Sequence, residues 1–513
     1  MEFSLNNKVF EYMGAVYKNS FTREETTESI IPDSLPDAQR VIETEAMVCL
    51  RSKEAENGRV VIVGTADVSV IYADEEGRIR RTVIGIPFNA SEENGNVVGG
   101  AKVTATVRAA SADARLLNPR KLLVRCDVLI DVACYVQKEI QLKLPAENAD
   151  TSLSVQILTD ERDMRLLTDV SEKTFVIREE YALPASKAPV GEVLRTKLTT
   201  ELEDVKSVGN KVILKGTARL SLLYRPEKGG EPVNAEFSTV FSQIMEIGVK
   251  SEDLHFKASL VPTSIYFVTD ALYSPDDRRI AVEAHFLAQC LAYRDEAAAW
   301  ITDVYSGKYE LKTGTAGFKL NSAGDALENV ELVRGVVETA GQPGNVVSIS
   351  VLPGVVYKNH EGERLELKTT VCVNVLYISE DGVLLSASKK MPVSTAIPWE
   401  NDAEYSVSAE VRSEPLAVIS TDGIEVKFSV AFRVECGKLL SIDAVDRIDA
   451  DTENPKDLSV LPSIVVKRFV NGDTLWSMAK KYSSARELIC CANGIEEGTE
   501  PEPNSVLIIP KIR

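Results

Sequence analysis

Alternation of apolar and polar side chains is the first pattern the chain shows. Between Gly64 and Tyr72, apolar residues fall at every second position (Ala66, Val68, Val70), with Asp67 and Ser69 between them. Period two with one apolar face predicts a half-buried strand. The pattern returns before Tyr224 with Ala218, Leu220 and Leu222, and before Tyr377 with Val371, Val373 and Val375. The three tyrosines are 152 and 153 residues apart. A glycine stands five residues after each one (Gly77, Gly229, Gly382), which predicts a hairpin turn in every case.

Other features travel with these hairpins. Long alternating strands are predicted over Leu122–Cys134, Ile280–Cys290 and Ile424–Cys436. A valine followed five positions on by an aromatic residue marks three openings: Val16 and Phe21, Val170 and Phe175, Val304 and Tyr309. Ile31-Pro32 and Leu183-Pro184 each precede a new strand. Order and spacing together predict a mainly β protein, with three tandem β-sandwich-like repeats over 1–150, 151–300 and 301–448. The alternative is one large β domain whose strands match by coincidence.

After Cys436 the alternation fades. Asp449 to Asp457 is polar and contains Pro455, which reads as a linker over 449–462. A separate unit is expected over 463–513. Ile464 to Val470 is β-branched, and Asn471-Gly472-Asp473 ends it. Leu475, Met478, Ala479 and Tyr482 have helical spacing, with Asp473 or Thr474 placed to cap the first turn. Ser484 and Glu487 have the spacing of a capping box for a second helix with Leu488, Ile489 and Ala492 on its apolar side. Asn493-Gly494 ends that helix, and Val506 to Pro510 is a last strand.

This strand, helix, helix, strand unit resembles a LysM domain. The residues that carry the likeness are Val470 to Ala479, Leu488-Ile489, Asn493-Gly494-Ile495 and Leu507 to Pro510. The resemblance implies a ligand groove with Gly472, Asp473, Thr474 and Leu475 on one side. Asn493, Gly494 and Ile495 form the other side, and Trp476 and Ile464 are anchors or the support beneath. Glu496 to Pro503 is acidic and lacks the glycine-glutamine pair common in that family, so weak glycan affinity is expected. The Gly-Thr-Ala-x-x-Ser-x-x-Tyr strands, Ile86-Pro87-Phe88 and the LysM-like end together resemble the SPOCS-domain sporulation proteins of clostridia. That likeness implies a non-enzymatic spore-coat adaptor. Its LysM-like unit would bind a coat morphogenetic protein (a SpoIVA-like ATPase) at the forespore surface in the mother-cell cytoplasm. Other coat proteins would meet the β repeats. The competing reading is a wall or cortex protein that binds the N-acetylglucosamine glycan of peptidoglycan.

Charge narrows the partners. The 58 Lys and Arg against 77 Asp and Glu leave a net charge of −19, which disfavours nucleic acid and anionic lipid. The first residues, Met1 to Lys8, lack the basic start and apolar run of a signal peptide, and no run of about 18 apolar residues spans a membrane. Cys126, Cys134, Cys290 and Cys436 fall on apolar strand faces, as small buried hydrophobes in a reducing cytoplasm would. No phosphate-binding loop, nucleophile elbow or dinucleotide fingerprint occurs, and no cofactor or metal is expected. His255, His285 and His360 have no ligand-spaced partner and read as surface residues. Cys490-Cys491 reads as one buried and one half-exposed thiol. Asp169 and Asp303 recur in Leu-Thr-Asp-Val and Ile-Thr-Asp-Val. They read as turn or edge residues at a repeat boundary rather than as an acid–base pair.

Overall fold

The computed structural model describes residues 2–146, 151–249, 253–269, 278–399, 405–460, 462–496 and 498–512. Strand dominates, and every sheet is antiparallel. The first six strands are β1 (Leu5–Ile30), β2 (Ala38–Glu56), β3 (Arg59–Asp74), β4 (Ile79–Glu93), β5 (Lys102–Asn118) and β6 (Lys121–Pro145). They form two sheets, ordered β1-β6-β5 and β2-β3-β4. The next six are β7 (Val155–Ala182), β8 (Val190–Val208), β9 (Lys211–Pro226), β10 (Val233–Glu246), β11 (Leu254–Thr269) and β12 (Arg279–Ser306). They pair in the same order, β7-β12-β11 and β8-β9-β10.

The third set is more broken. It comprises β13 (Tyr309–Val337), β14 (Pro343–Pro353), β15 (Tyr357–Glu361), β16 (Arg364–Ser379), β17 (Leu384–Pro398), β18 (Tyr405–Val411), β19 (Leu416–Ser420) and β20 (Gly423–Pro455). β14 and β15 both pair with one edge of β16, and β18 and β19 both pair with β20. Pro353-Gly354 separates the first two and Pro415 precedes β19; a proline has no N–H to offer a ladder.

In each set the two sheets face each other over one core. Tyr72, Tyr224 and Tyr377 are fully buried. Their hydroxyls donate to the carbonyls of Pro36 (3.0 Å), Ala188 (2.7 Å) and Ala340 (3.0 Å), which satisfies the one polar atom each brings inside. The hairpin glycines Gly77, Gly229 and Gly382 have φ of 75°, 77° and 78°, the left-handed region the turn requires. One rung shows a compensated exchange. Gly64 faces Phe88 and Gly216 faces Phe241, and a Cβ at either glycine would strike the ring. In the third set Thr369 faces the smaller Val393.

A bulge in the second strand of each set joins the sets together. Ile42, Leu194 and Val347 are the extra residues where the register shifts in β2, β8 and β14. A bulge turns a side chain towards the opposite face. These three meet Ile71, Leu223 and Leu376 in one core shared by all three sets. Beside it Arg195 donates from Nη1 to both oxygens of Glu43 at 2.8 Å, and its Nε lies 3.4 Å from Glu45. Burial pushes the Glu43 carboxyl up to about 7 against the pull of Arg195. Glu45 is held below its ordinary value: burial works upwards, but Arg195 and Lys197 outweigh it.

The long strands run further than alternation indicates. β6, β12 and β20 start where expected but continue to Pro145, Ser306 and Pro455. Their far halves pair with β1, β7 and β13 and share a second core that includes Phe10, Leu142, Leu166, Trp300, Leu320 and Ile442. Two expected boundaries therefore move. Residue 300 lies inside β12, and residues 449–455 belong to β20 rather than to a linker. The polar run hides a strand because Ile448 and Ala450 face inwards while acidic neighbours face out. The third opening match also fails, since Val304 ends β12 whereas Tyr309 begins β13.

The C-terminal unit has β21 (Ile464–Arg468), α1 (Leu475–Lys481), α2 (Arg486–Asn493) and β22 (Val506–Pro510). β21 and β22 form a two-stranded sheet, and Phe469, Leu475, Met478, Ala479, Ile489 and Leu507 fill the space beneath it. No described helix is long and apolar enough to cross a membrane.

Candidate functional site

The groove expected from the loops around residues 472–475 and 493–495 is largely occupied by the unit's own bonds. Gly472 takes φ 94° and closes the turn after β21. Asp473 accepts from the Val470 N–H at 3.1 Å and donates its own N–H to the Val470 carbonyl at 3.0 Å. Thr474 is the N-cap of α1: its hydroxyl accepts from the Ser477 N–H and its N–H donates to the Ser477 hydroxyl, both at 3.0 Å. Leu475 is fully buried, so it supports the groove from below and offers no surface. Its N–H donates to Glu500 at 2.9 Å, which places an acidic side chain from the 496–503 stretch on the helix start. Asn493 clamps α2 to β22. Its amide donates to the Ile489 and Ile508 carbonyls (2.8 and 2.6 Å) and accepts from the Ile508 N–H (2.7 Å). Gly494 caps α2 with φ 63°, and Ile495 is half-buried against the core.

Two local expectations are corrected. Ser484 forms no capping box: α2 starts one residue later, with Ala485 at its N-cap and no side-chain cap. Ser484 is instead buried, and its hydroxyl donates to the Pro510 carbonyl. The buried side of α2 is Ile489 and Cys490, whereas Leu488 and Ala492 are exposed.

Ile464 differs from the rest of the set. It is 60% exposed on the outer face of β21, next to Val466 at 64%. Across the sheet Val466 pairs with Ile508 and Arg468 with Val506, so Val506 and Ile508, also exposed, share that face. The result is an apolar surface with no covering element among the described residues.

Trp476 faces elsewhere. Its indole N–H donates to Asp303 at 2.8 Å, and its ring meets Tyr305 edge-on at 4.9 Å. Lys480 bonds both oxygens of the same aspartate at 2.7 and 2.8 Å. The Tyr305 hydroxyl donates to the Ser484 carbonyl at 2.7 Å, and Ile512 packs against Gly307. Trp476 is therefore the centre of a joint between the C-terminal unit and the end of β12. Burial works against the Asp303 carboxylate, but Lys480 and Trp476 outweigh it and hold it below its ordinary value.

Sequence reasoning noticed Asp303 but missed this use. In Ile-Thr-Asp-Val the extra residue of a β12 bulge is Thr302, whose hydroxyl donates to the Leu158 carbonyl at 3.2 Å. Leu-Thr-Asp-Val repeats the device in β7: Thr168 is the bulged residue, and it donates to the Ala292 carbonyl at 3.0 Å. Asp169 then accepts from the Gly248 N–H at 2.9 Å and pairs with Lys102 of β5 at 3.3 Å. Each motif thus aims an aspartate at a neighbouring element. The recurrence of the tetrapeptide was the available signal.

The remaining chemistry-bearing residues are accounted for locally. The described cysteines form no disulfide. Burial pushes Cys126 and Cys290 up to about 12 and Cys49 and Cys134 up to about 11, so these thiols stay protonated. Cys436 is half-buried rather than buried, and its thiol meets the Asp325 carbonyl at 3.1 Å. Cys490 is buried and Cys491 exposed. His255, His285 and His360 hydrogen-bond Asp295, Glu283 and Tyr405. No metal-ligating cluster occurs among the described residues.

Residues 37–117 and 189–266 both match the family model described as SipL, SPOCS domain. No curated protein and no solved structure matches. The two segments begin just before β2 and β8 and reach into β5 and β11, so they cover equivalent strands of the first two sets. Those two segments are SipL-like SPOCS domains.

Proposed function

We propose that this protein is a non-catalytic adaptor in spore-coat morphogenesis, built from three copies of one β module and a LysM-type module. Support for the copies comes from the recurring sheet order, the tyrosines 152 and 153 residues apart, and the bulges that meet in one core. The first copy occupies β1–β6, the second β7–β12 and the third β13–β20. The LysM-type module docks a coat morphogenetic protein of the SpoIVA-like ATPase class. One observation carries this reading: Ile464, Val466, Val506 and Ile508 make an uncovered apolar face on a small module. Surfaces of that kind mark protein contacts. Trp476 is engaged within the chain, so a partner reaching it must first open the joint with Asp303.

Glycan binding is disfavoured because Glu500 and Asn493 already use backbone groups in the groove. The proposed site of action is the forespore surface on the mother-cell side. The test is co-purification of the coat ATPase with the full chain and with residues 1–460, alongside pelleting with purified peptidoglycan. The proposal expects ATPase capture by the full chain alone and no saturable pelleting. Tight pelleting without ATPase capture overturns it in favour of a wall protein.

A further inference from the structure

A cleft of about 400 Å³ lies where the long antiparallel strand pairs β1–β6, β7–β12 and β13–β20 converge below their sandwiches. Each pair carries a bulge here: at Val16 in β1, at Thr168 in β7, and at Gly324-Asp325 in β13. Bulges are over-represented beside binding sites, where they end pairing and open space. Tyr135, Leu167 and Tyr293 supply apolar lining. Glycine stands where the walls come close. A Cβ on Gly14 would lie 2.5 Å from Cδ of Lys138, and one on Gly324 would lie 2.8 Å from the Cys436 carbonyl. The stem of Lys138 therefore rests across Gly14.

The charge of the lining is opposite to that of the chain. Lys18, Lys138, Arg165, Lys257, Lys319 and Arg433 line the cleft, against Asp325 and Glu435. The chain as a whole carries more acid than base, 77 residues against 58. Pairing accounts for part of this set. Arg165 bonds Asp295 at 2.7 Å and Asp325 at 3.2 Å, while Lys257 and Arg433 share Glu435. Lys138 and Lys319 have no ion pair or hydrogen bond among the described residues. With Arg165, Lys257 and Arg433 committed to carboxylates, Lys138 and Lys319 are left, and lysines act as point charges for phosphate. The volume is that of a small-ligand site.

We propose that this cleft binds a small anion bearing two or more linked phosphates, held by Lys138, Lys319 and the cations around them. The site is independent of the C-terminal unit and of the coat partner.

The test is calorimetric titration of the full chain with sodium tripolyphosphate at about 150 mM salt, where long-range attraction is screened. Lys138→Gln/Lys319→Gln removes the two cleft lysines. Lys211→Gln/Lys215→Gln, on β9, is the control of equal charge. All four side chains are exposed, and circular dichroism checks folding. Saturable binding with Kd on the order of 10 μM is expected, weakened about tenfold or more in the cleft variant and unchanged in the control. Absence of saturable heat up to millimolar concentration overturns the proposal. So does equal weakening in both variants, which would mean diffuse attraction rather than a site.

Discussion

Two joints hold this chain together, and they are built on different physics. The hub between the three sandwiches is apolar and buried. Leu194, Leu223 and Leu376 are fully buried there, and the ion pair beside them is sealed as well. The joint between β12 and the C-terminal unit is more polar and partly exposed. It rests on one aspartate shared by Trp476 and Lys480, one tyrosine hydroxyl and one isoleucine. Apolar burial scales with area and has no easy exit, whereas a few hydrogen bonds can be exchanged for water or for a partner. The hub is thus built as a permanent core and the joint as a contact that can open.

The largest expected effect is at the hub. Arg195→Leu removes the ion-pair partner of the buried Glu43 and Glu45, leaves them the pull of Lys197, and should cost about 3–5 kcal/mol, read from urea unfolding. Adding Glu43→Gln and Glu45→Gln to that variant should recover most of the loss. Leu223→Ala should cost about 2–5 kcal/mol through the cavity it leaves. A cost below about 1 kcal/mol would mean that the sandwiches do not rely on this core.

Glu43 adds a pH signature. Its folded value lies near 7, above the ordinary 4.5, so the folded state binds more protons between those limits. Stability from this group therefore falls as pH rises from about 4.5 to 7. Glu43→Gln is neutral throughout, so its melting temperature should gain on the parent between pH 5 and pH 8. A gain in the opposite direction would show Glu43 charged and held by Arg195 across that range.

The smallest effect is at the joint. Asp303→Asn should cost the docked state about 1–2 kcal/mol. Faster hydrogen exchange in α1 and easier proteolysis over 456–463 would report it, with global melting nearly unchanged. Asp303 is held below its ordinary 3.8, so its contribution exists above that value and is lost as pH falls through the lowered one. The difference between Asp303→Asn and the parent should accordingly shrink as pH falls below 3.8 and vanish only below the lowered value.

The sandwiches were legible because a strand with one buried face must alternate, and Val68, Leu220 and Val373 do so at matching positions. The hub was not legible. A bulge adds one residue without changing composition, so Ile42, Leu194 and Val347 look like ordinary members of their strands. The far half of β20 escaped for a related reason. Its inward residues, such as Ile448 and Ala450, stand among carboxylates. At the C-terminal unit the secondary structure was readable, but exposure was not. Leu475 and Ile464 are both apolar residues near turns, and only packing separates the buried one from the open one. Asp303 was visible as a recurring residue, yet its partner lies more than 170 positions away.

The account turns on where the proposed coat partner docks, and affinity of the purified coat ATPase for Ile464→Glu tests this most directly. The residue is exposed, so circular dichroism should match the parent chain. The account predicts binding weakened about tenfold or more, as expected when a central apolar anchor is replaced by a charge. Parent affinity in this variant, together with lost binding for residues 1–460, would contradict it and place the contact elsewhere on the C-terminal unit.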